Sequence, residues 1–310
     1  MKRVLTAVAL IPVVVLLVFR APLWLFALVI AALIVITLRE YLDIAKAAGI
    51  KPFRCLSYIA ALLPIGFLLY VIVTAAFLGH ARHYWFYSPE NALMTIWRNL
   101  ALLAPVIFGI PLVFQKDLSG GLSSAAVSAF GIFYIGASLS TLIVLRSEAS
   151  QAILVIFVLF SVWAGDIAAY YIGKNFGRHK LAPIVSPNKS WEGAIASVVA
   201  SVGMAFLVLH YRHDLNEWFA PSGSFRFAFG TSYMPIGTIR LVHVIALGVL
   251  TNIAAQFGDL FESALKRGAG VKDSGTLLPG HGGLLDRIDA LLFAIPVVWY
   301  YANLTGFLLP

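Results

Sequence analysis

Residues 151–172 read QAILVIFVLFSVWAGDIAAYYI, an apolar run with a single charge, Asp166. Its apolar positions follow one another without the every-second-residue alternation of a half-buried strand. At about 1.5 Å per residue, a helix of about 20 residues crosses the roughly 30 Å hydrocarbon core of a bilayer. Such runs recur along the chain, and nine spans are read near 4–19, 22–38, 56–78, 99–114, 125–145, 151–172, 193–210, 240–257 and 287–307. The 310 residues are 61% hydrophobic and 12% charged, with a mean hydropathy of +0.91. A soluble domain carries about 25% charged residues, so a water-soluble fold is excluded. Disorder and a collagen-like fibre are excluded by the same composition, and a disulfide scaffold by the single cysteine, Cys55. Continuous runs argue against a transmembrane β-barrel. The expected fold class is all-α, a polytopic integral membrane protein of about nine transmembrane helices.

Basic residues orient the spans. With the N-terminus cytoplasmic, inner segments hold 15 Lys and Arg and outer segments 7, as the positive-inside rule requires. The C-terminus is then outside. The formal charge of +8 needs no nucleic acid to explain it, because the basic residues are scattered between spans with no basic block. Met1-Lys2-Arg3 and the following apolar run resemble a secretory leader, but no small-residue cleavage site precedes a polar region. The run is read as a retained first helix. The outer connection 211–239 carries Trp218, Phe219, Phe225, Phe227, Phe229 and Tyr233, read as interfacial anchors. Acids are distributed in a way that topology does not ask for. Ten of 14 Asp and Glu lie at or near the inner face, Glu40 and Asp43 among them.

Three clusters on that face carry chemistry. Asp166 and Tyr170 are four apart on the sixth span and share one helical face. An acid within a span costs at least about 2.5 kcal/mol on insertion scales, so it faces a polar cavity or a partner. The plainer reading is a helix–helix hydrogen bond. The second cluster is Ser186-Pro187-Asn188-Lys189-Ser190-Trp191-Glu192-Gly193. Pro187 stops a preceding helix and Ser190 suits an N-cap. A helix N-terminus beside a lysine and hydroxyls also suits a phosphate. The third cluster runs from Gly258 to Asp289. Asp259, Glu262 and Lys266 fall on one face of a helix extending from the eighth span, and Asp286 and Asp289 on one face at the start of the ninth. Glycines 268, 270, 275, 280, 282 and 283 loosen the connection between them. Oxygen ligands without added cysteines favour Mg²⁺ over zinc. Lys266, Arg267, Lys272 and Arg287 would neutralise phosphate oxygens, so the cluster has the composition of a phosphoryl-transfer site. A merely solvated loop would not crowd these charges against membrane helices.

The stretch Ser263-x-Leu-Lys266-Arg267-x4-Lys272-Asp273-x-Gly275-x2-Leu278-Pro279-x-His281-Gly282-Gly283-Leu-x-Asp286-Arg287-Ile-Asp289 resembles the signature of the phosphatidate cytidylyltransferases (CDP-diacylglycerol synthases). The segments around Asp166, Ser186–Gly193 and Arg39-Glu40-Tyr41 are similar to family segments too. Within the signature, Ser274-Gly275-Thr276 is read as a variable portion of little consequence.

The resemblance implies an enzyme that joins CTP to phosphatidic acid in a bacterial inner membrane. The products are CDP-diacylglycerol and pyrophosphate, and Mg²⁺ is required. It implies Asp259, Asp286 and Asp289 as metal ligands, with a second ion left open, and these with Lys266 as the catalytic set. Lys266, Arg267 and Lys272 hold phosphates, while Lys189 and Ser190 meet either the triphosphate or the lipid head. Asp166 organises the metal or the nucleotide. Asp273 either orders the glycine loop or touches the ribose, and His281 makes either a structural hydrogen bond or a phosphate contact. Ser186, Ser263 and Arg287 complete the expected substrate contacts. A homodimer is implied, as is a polar cavity open to cytoplasm and lipid. Two regions are expected, 1–150 with about five N-terminal spans, and 151–310 as the catalytic region with cytoplasmic loops 173–192 and 258–289. CDP-alcohol phosphotransferases are set aside, since no Asp-Gly-x2-Ala-Arg run is found. A CTP-dependent lipid kinase would share the nucleotide chemistry. A transporter built from inverted halves gains little support without an internal repeat. A catalytically silent, lipid-binding relative is opposed by the intact charged positions.

Overall fold

The computed structural model describes residues 2–78, 89–114, 118–147, 152–212, 214–215, 241–277 and 282–306. The element order is α1 (Lys2–Arg20), α2 (Leu23–Ala47), α3 (Arg54–Leu78), α4 (Pro89–Val113) and α5 (Gly121–Gly131). A π-helical segment, Ile132–Ala137, leads into α6 (Ser138–Ser147) and α7 (Ala152–Phe176). Strands β1 (Lys180–Ala182) and β2 (Ser186–Ser190) precede α8 (Trp191–His210), α9 (Leu241–Gly268) and α10 (Leu285–Thr305). Among the described residues, eight helical stretches are long and apolar enough to cross a membrane, α5, the π segment and α6 forming one of them. The protein is an all-α polytopic membrane protein. The expected first span falls in α1, of which Ile11–Arg20 is a shorter apolar stretch. Most of the aromatic connection 211–239 lies outside the described residues.

Two local features depart from the simple span reading. The span expected over 125–145 is broken by the π segment, flanked at Gly131 and interrupted at Gly136. The Tyr41 ring fills the space of a Cβ on Gly131, and the Trp97 ring that of a Cβ on Gly136. Insertion of one extra residue per turn lets the helix accommodate both rings. The second feature is the hairpin. Between α7 and α8, β1 and β2 pair antiparallel through Lys180↔Ser190 and Ala182↔Ser186, with an irregularity between the two pairs. Pro187, which has no N–H to give the ladder, lies in that stretch of β2.

Helices α7, α8 and α9 pack closely through small residues. Gly165 of α7 has no room for a Cβ against Asn252, Ser197 and Ser201. The Asn252 amide donates to Ser197 Oγ (2.8 Å) and Ser201 Oγ (2.7 Å), and Ser201 donates to the Ser161 carbonyl at 2.7 Å. Gln256 donates to the Ala194 carbonyl (3.1 Å) and to Asn252 Oδ1 (2.5 Å). In lipid, small residues and interhelical hydrogen bonds hold helices together, since apolar burial gives little preference between protein and tails. An aromatic cluster joins the N-terminal helices to this trio. Tyr134 lies 5.3 Å from Phe261 and 5.9 Å from Phe293 in ring centroids, and Phe130 lies 5.6 Å from Phe261.

Arg146, at the end of α6, is fully buried. Its Nε donates to the Val18 carbonyl at 2.6 Å, a terminal N–H donates to the Ala21 carbonyl, and the guanidinium lies 4.9 Å from the Phe26 ring centre. The last carbonyls of a helix have no intrahelical partner, and a cation there is also favoured by the helix dipole. Arg146→Met leaves those carbonyls buried without a donor, a loss of roughly 2–5 kcal/mol. Thermal unfolding of the detergent-solubilised protein should show a midpoint several degrees lower, and an unchanged midpoint would refute the capping role.

Candidate active site

One end of the bundle gathers the C-terminal end of α2, the last turns of α7, the hairpin, the end of α9 and the start of α10. Two groups of charges lie there. The first is centred on Lys266, whose ammonium lies 2.8 Å from Glu262 Oε2 and 2.5 Å from Asp286 Oδ1. Only 12% of the Lys266 side chain is accessible, and 1% of Glu262. Glu262 and Lys266 are one turn apart, so α9 itself sets their spacing. Asp286 accepts further bonds from the amide of Gly283 (2.7 Å) and from the amide (3.0 Å) and hydroxyl (2.9 Å) of Ser274.

The second group is Asp166, Lys189, Asp259 and Asp289. Lys189 Nζ on β2 lies 2.7 Å from Asp259 Oδ2 on α9. Asp289 lies near enough to feel the charges of Asp259, Glu262 and Asp166, and Asp166 those of Asp259 and Lys189. Gly258 makes this approach feasible. A Cβ there would run into the backbone of Asp289 and Ala290, so its absence lets α9 and α10 touch where both present carboxylates. Asp289 Oδ1 accepts from the Ala290 amide at 2.8 Å. In the first group, Glu262 Oε1 is buried with no hydrogen-bond partner among the described residues. In the second group three carboxylates lie near one ammonium, which is a setting for a cation.

Several expected substrate contacts have other partners. Ser190 is the N-cap of α8, its buried Oγ accepting from the Gly193 amide at 3.2 Å, so the capping reading of this serine holds. Glu192 pairs with His179 Nδ1 at 2.7 Å and closes the hairpin onto the helix. Ser263 Oγ lies 3.5 Å from Asp259 Oδ1. Arg267, Lys272, Asp273 and Arg287 are exposed at this end, and Ser186 is half-buried at the start of β2. His281 lies outside the described residues. The three-aspartate set of Asp259, Asp286 and Asp289 is divided between the two groups, with Asp286 surrounded by donors from the loop and Lys266. Among the described residues, no three His, Cys, Asp or Glu side chains are grouped tightly enough to hold an ion by themselves.

Sequence reasoning passed over two residues. Ser274, read as part of a variable portion, is buried and binds Asp286 through both amide and hydroxyl. Glu40 appeared as an inner-face acid and within the family-like Arg39-Glu40-Tyr41 segment but was given no role, yet its carboxylate accepts from the loop and from the start of α10. The available signal was an acid at the end of a span with no Lys or Arg three or four residues away on either side to pair with it. A cavity of about 740 Å³ lies toward the other end of α10, among Trp97, Phe133, Leu250, Trp299 and Tyr301. It is apolar and separate from the charged groups.

Comparison with known proteins bears on the family. The profile of the cytidylyltransferase family matches residues 1–305. A phosphatidate cytidylyltransferase of Haemophilus influenzae is 40% identical over 148 residues, covering 48% of this chain and 45% of that protein. One from Brucella suis is 39% identical over 174 residues, 56% of each chain. The chain thus spans about half the length of these two bacterial relatives. A chloroplastic phosphatidate cytidylyltransferase of Arabidopsis thaliana is 31% identical over 306 residues, covering 91% of this chain and 67% of the plant protein. With a whole-length profile match and a plant relative aligned over most of both chains, this chain belongs to the cytidylyltransferase family.

Proposed function

We propose that this protein transfers the cytidylyl group of CTP to phosphatidic acid, with Mg²⁺ as cofactor, at the cytoplasmic face of a bacterial inner membrane. The observation that carries the reading is the meeting of Asp166, Asp259 and Asp289 with Lys189 where α7, the hairpin, α9 and α10 converge. The bias of basic residues toward the inner segments supports the orientation. A phosphate oxygen of the lipid attacks the α-phosphorus of CTP. A new P–O bond forms there, and the bond to the departing pyrophosphate breaks, its electron pair leaving with the pyrophosphate. The attacking oxygen is already anionic at neutral pH, so no residue has to remove a proton. The protein's work is alignment and charge compensation.

The donor set suits Mg²⁺. This ion takes one or two carboxylates and completes its shell with water and substrate phosphates, which fits a site where the carboxylates of Asp166, Asp259 and Asp289 gather near one lysine. Asp259 and Asp289 would hold it, with Asp166 nearby and Asp286 fixing the first turn of α10. Bound there, the ion supplies charge compensation for the phosphate oxygens. Lys189, with 26% of its side chain accessible, would pair with a phosphate while remaining close to Asp259. Arg267, Lys272 and Arg287, exposed at the same end, would meet the outer phosphates. Ser186, Ser263, Asp273 and His281 complete the proposed substrate contacts.

Purified protein in mixed micelles with CTP, phosphatidic acid and Mg²⁺ is expected to release pyrophosphate only when the lipid is present, with CDP-diacylglycerol identified by mass. Label passing from the γ-phosphate of CTP into lipid would replace this reading with a CTP-dependent lipid kinase. No nucleotide turnover by the folded protein would remove it.

A further inference from the structure

Helix α10 begins without a cap of its own. Its N-cap residue is Leu284, which makes no side-chain cap hydrogen bond, although the first amides of any helix lack intrahelical acceptors. The missing acceptors come from α2. Glu40 Oε1 accepts from the Leu284 amide at 2.9 Å, and Oε2 from the Leu285 amide at 2.7 Å. A carboxylate at a helix N-terminus is also favoured by the helix dipole. Glu40 is 6% exposed and, among the described residues, pairs with no cation.

The loop is fitted around that carboxylate. Ser274 Oγ stands between Glu40 Oε2 (3.1 Å) and Asp286 Oδ2 (2.9 Å), with one hydroxyl proton to give to the two acceptors. A Cβ on Gly275 or on Gly283 would collide with the Glu40 carboxyl group. Asp286 accepts from the Gly283 amide. The amides that lead into α10 are therefore shared, those of Leu284 and Leu285 going to a carboxylate of α2 and that of Gly283 to one of α10, with Ser274 bridging the pair.

We infer that Glu40 is a positioning residue for the site, holding the first turn of α10 so that Asp286 and Asp289 face Lys266 and Asp259 of α9. Among the described residues, it reaches the reacting groups through Ser274 and the Leu284 and Leu285 amides. The inference rests on the cytidylyltransfer reading for its kinetic consequence, and not for its structural one. Glu40→Gln keeps the length of the side chain but turns one acceptor into a donor that faces an N–H donor. Small displacements of catalytic groups cost rate steeply, so turnover should fall roughly 10- to 100-fold. The KM for CTP should change little, and the thermal midpoint should fall by only a few degrees, the scale of one buried hydrogen bond lost.

The test uses the full chain in mixed micelles and two measurements. Pyrophosphate release gives kcat and KM, and hydrogen–deuterium exchange follows the amides of 283–286 against those of 291–298. Faster exchange confined to the first turn of α10, together with lowered kcat, supports the inference. Exchange and kcat both at wild-type values overturn it. So does a uniform rise in exchange along α10 with undiminished kcat per folded molecule, the signature of a purely structural residue. Should Glu40→Gln fail to fold, Ser274→Ala removes the bridge alone and is expected to raise exchange at 283–285 and lower kcat. Wild-type values for both in that variant overturn the inference. If the wild type itself shows no cytidylyltransfer, the reaction is wrong, while local exchange still decides whether Glu40 positions the turn.

Discussion

Asp259→Asn is expected to lower kcat/KM for the proposed cytidylyltransfer by about 10²- to 10³-fold, the scale on which loss of one preorganised electrostatic group is felt. Asparagine has the shape of aspartate and keeps an oxygen for the 3.5 Å contact from Ser263. What disappears is the charge. Lys189 loses the carboxylate 2.7 Å away, and the group of Asp166, Asp259 and Asp289 loses one of the charges that make it attractive to a cation. Both losses act on phosphate charge compensation, so Mg²⁺ dependence should shift to higher concentration along with the fall in rate. Mg²⁺ titrations of pyrophosphate release by wild type and variant will read both. Activity within twofold of wild type would remove Asp259 from the proposed site.

Lys266→Met acts on stability as well as rate. Lys266 is shared by Glu262 and Asp286, and its side chain is 12% accessible. Breaking a buried ion pair by removing one partner leaves an uncompensated charge and costs about 3–5 kcal/mol. Here two carboxylates are left, and among the described residues only Asp286 has other donors, in Gly283 and Ser274. The thermal midpoint in detergent should fall, and cytidylyltransfer should fall with it as the first turn of α10 loosens. The double variant Lys266→Met/Glu262→Leu removes the worse-satisfied carboxylate and should recover part of the midpoint without recovering the rate. Recovery of both would make Lys266 a purely structural residue, and an unchanged midpoint in the single variant would show that the pair is more solvated than its geometry implies.

The membrane-crossing helices were legible because their determinants are local. A bilayer leaves each segment to satisfy its own backbone, so hydropathy and length suffice to find it. The same locality explains how Asp259, Glu262 and Lys266 could be placed on one helix face, and Asp286 and Asp289 on another, from spacing alone. Local reading also has its limits within a span. The π segment at Ile132–Ala137 responds to the Tyr41 and Trp97 rings, which reach it from α2 and α4. The hairpin over 180–190 is short, polar and interrupted by Pro187, a pattern that reads equally well as an ordinary loop.

The chain by itself determined the all-helical membrane class, the helical faces carrying charge, and the charged clusters flanking the glycine-rich connection. Tertiary structure alone decided which charges meet. Asp286 and Asp289 are three residues apart, yet one joins Lys266 and Ser274 while the other lies with Asp166 and Asp259. Glu40 and Ser274 are 234 positions apart and in hydrogen-bond contact. Helix formation in a membrane follows from each segment's own composition. The partner of a carboxylate at a helix end depends on how the helices are arranged around it, because a buried charge takes whichever donor the packing brings within about 3 Å.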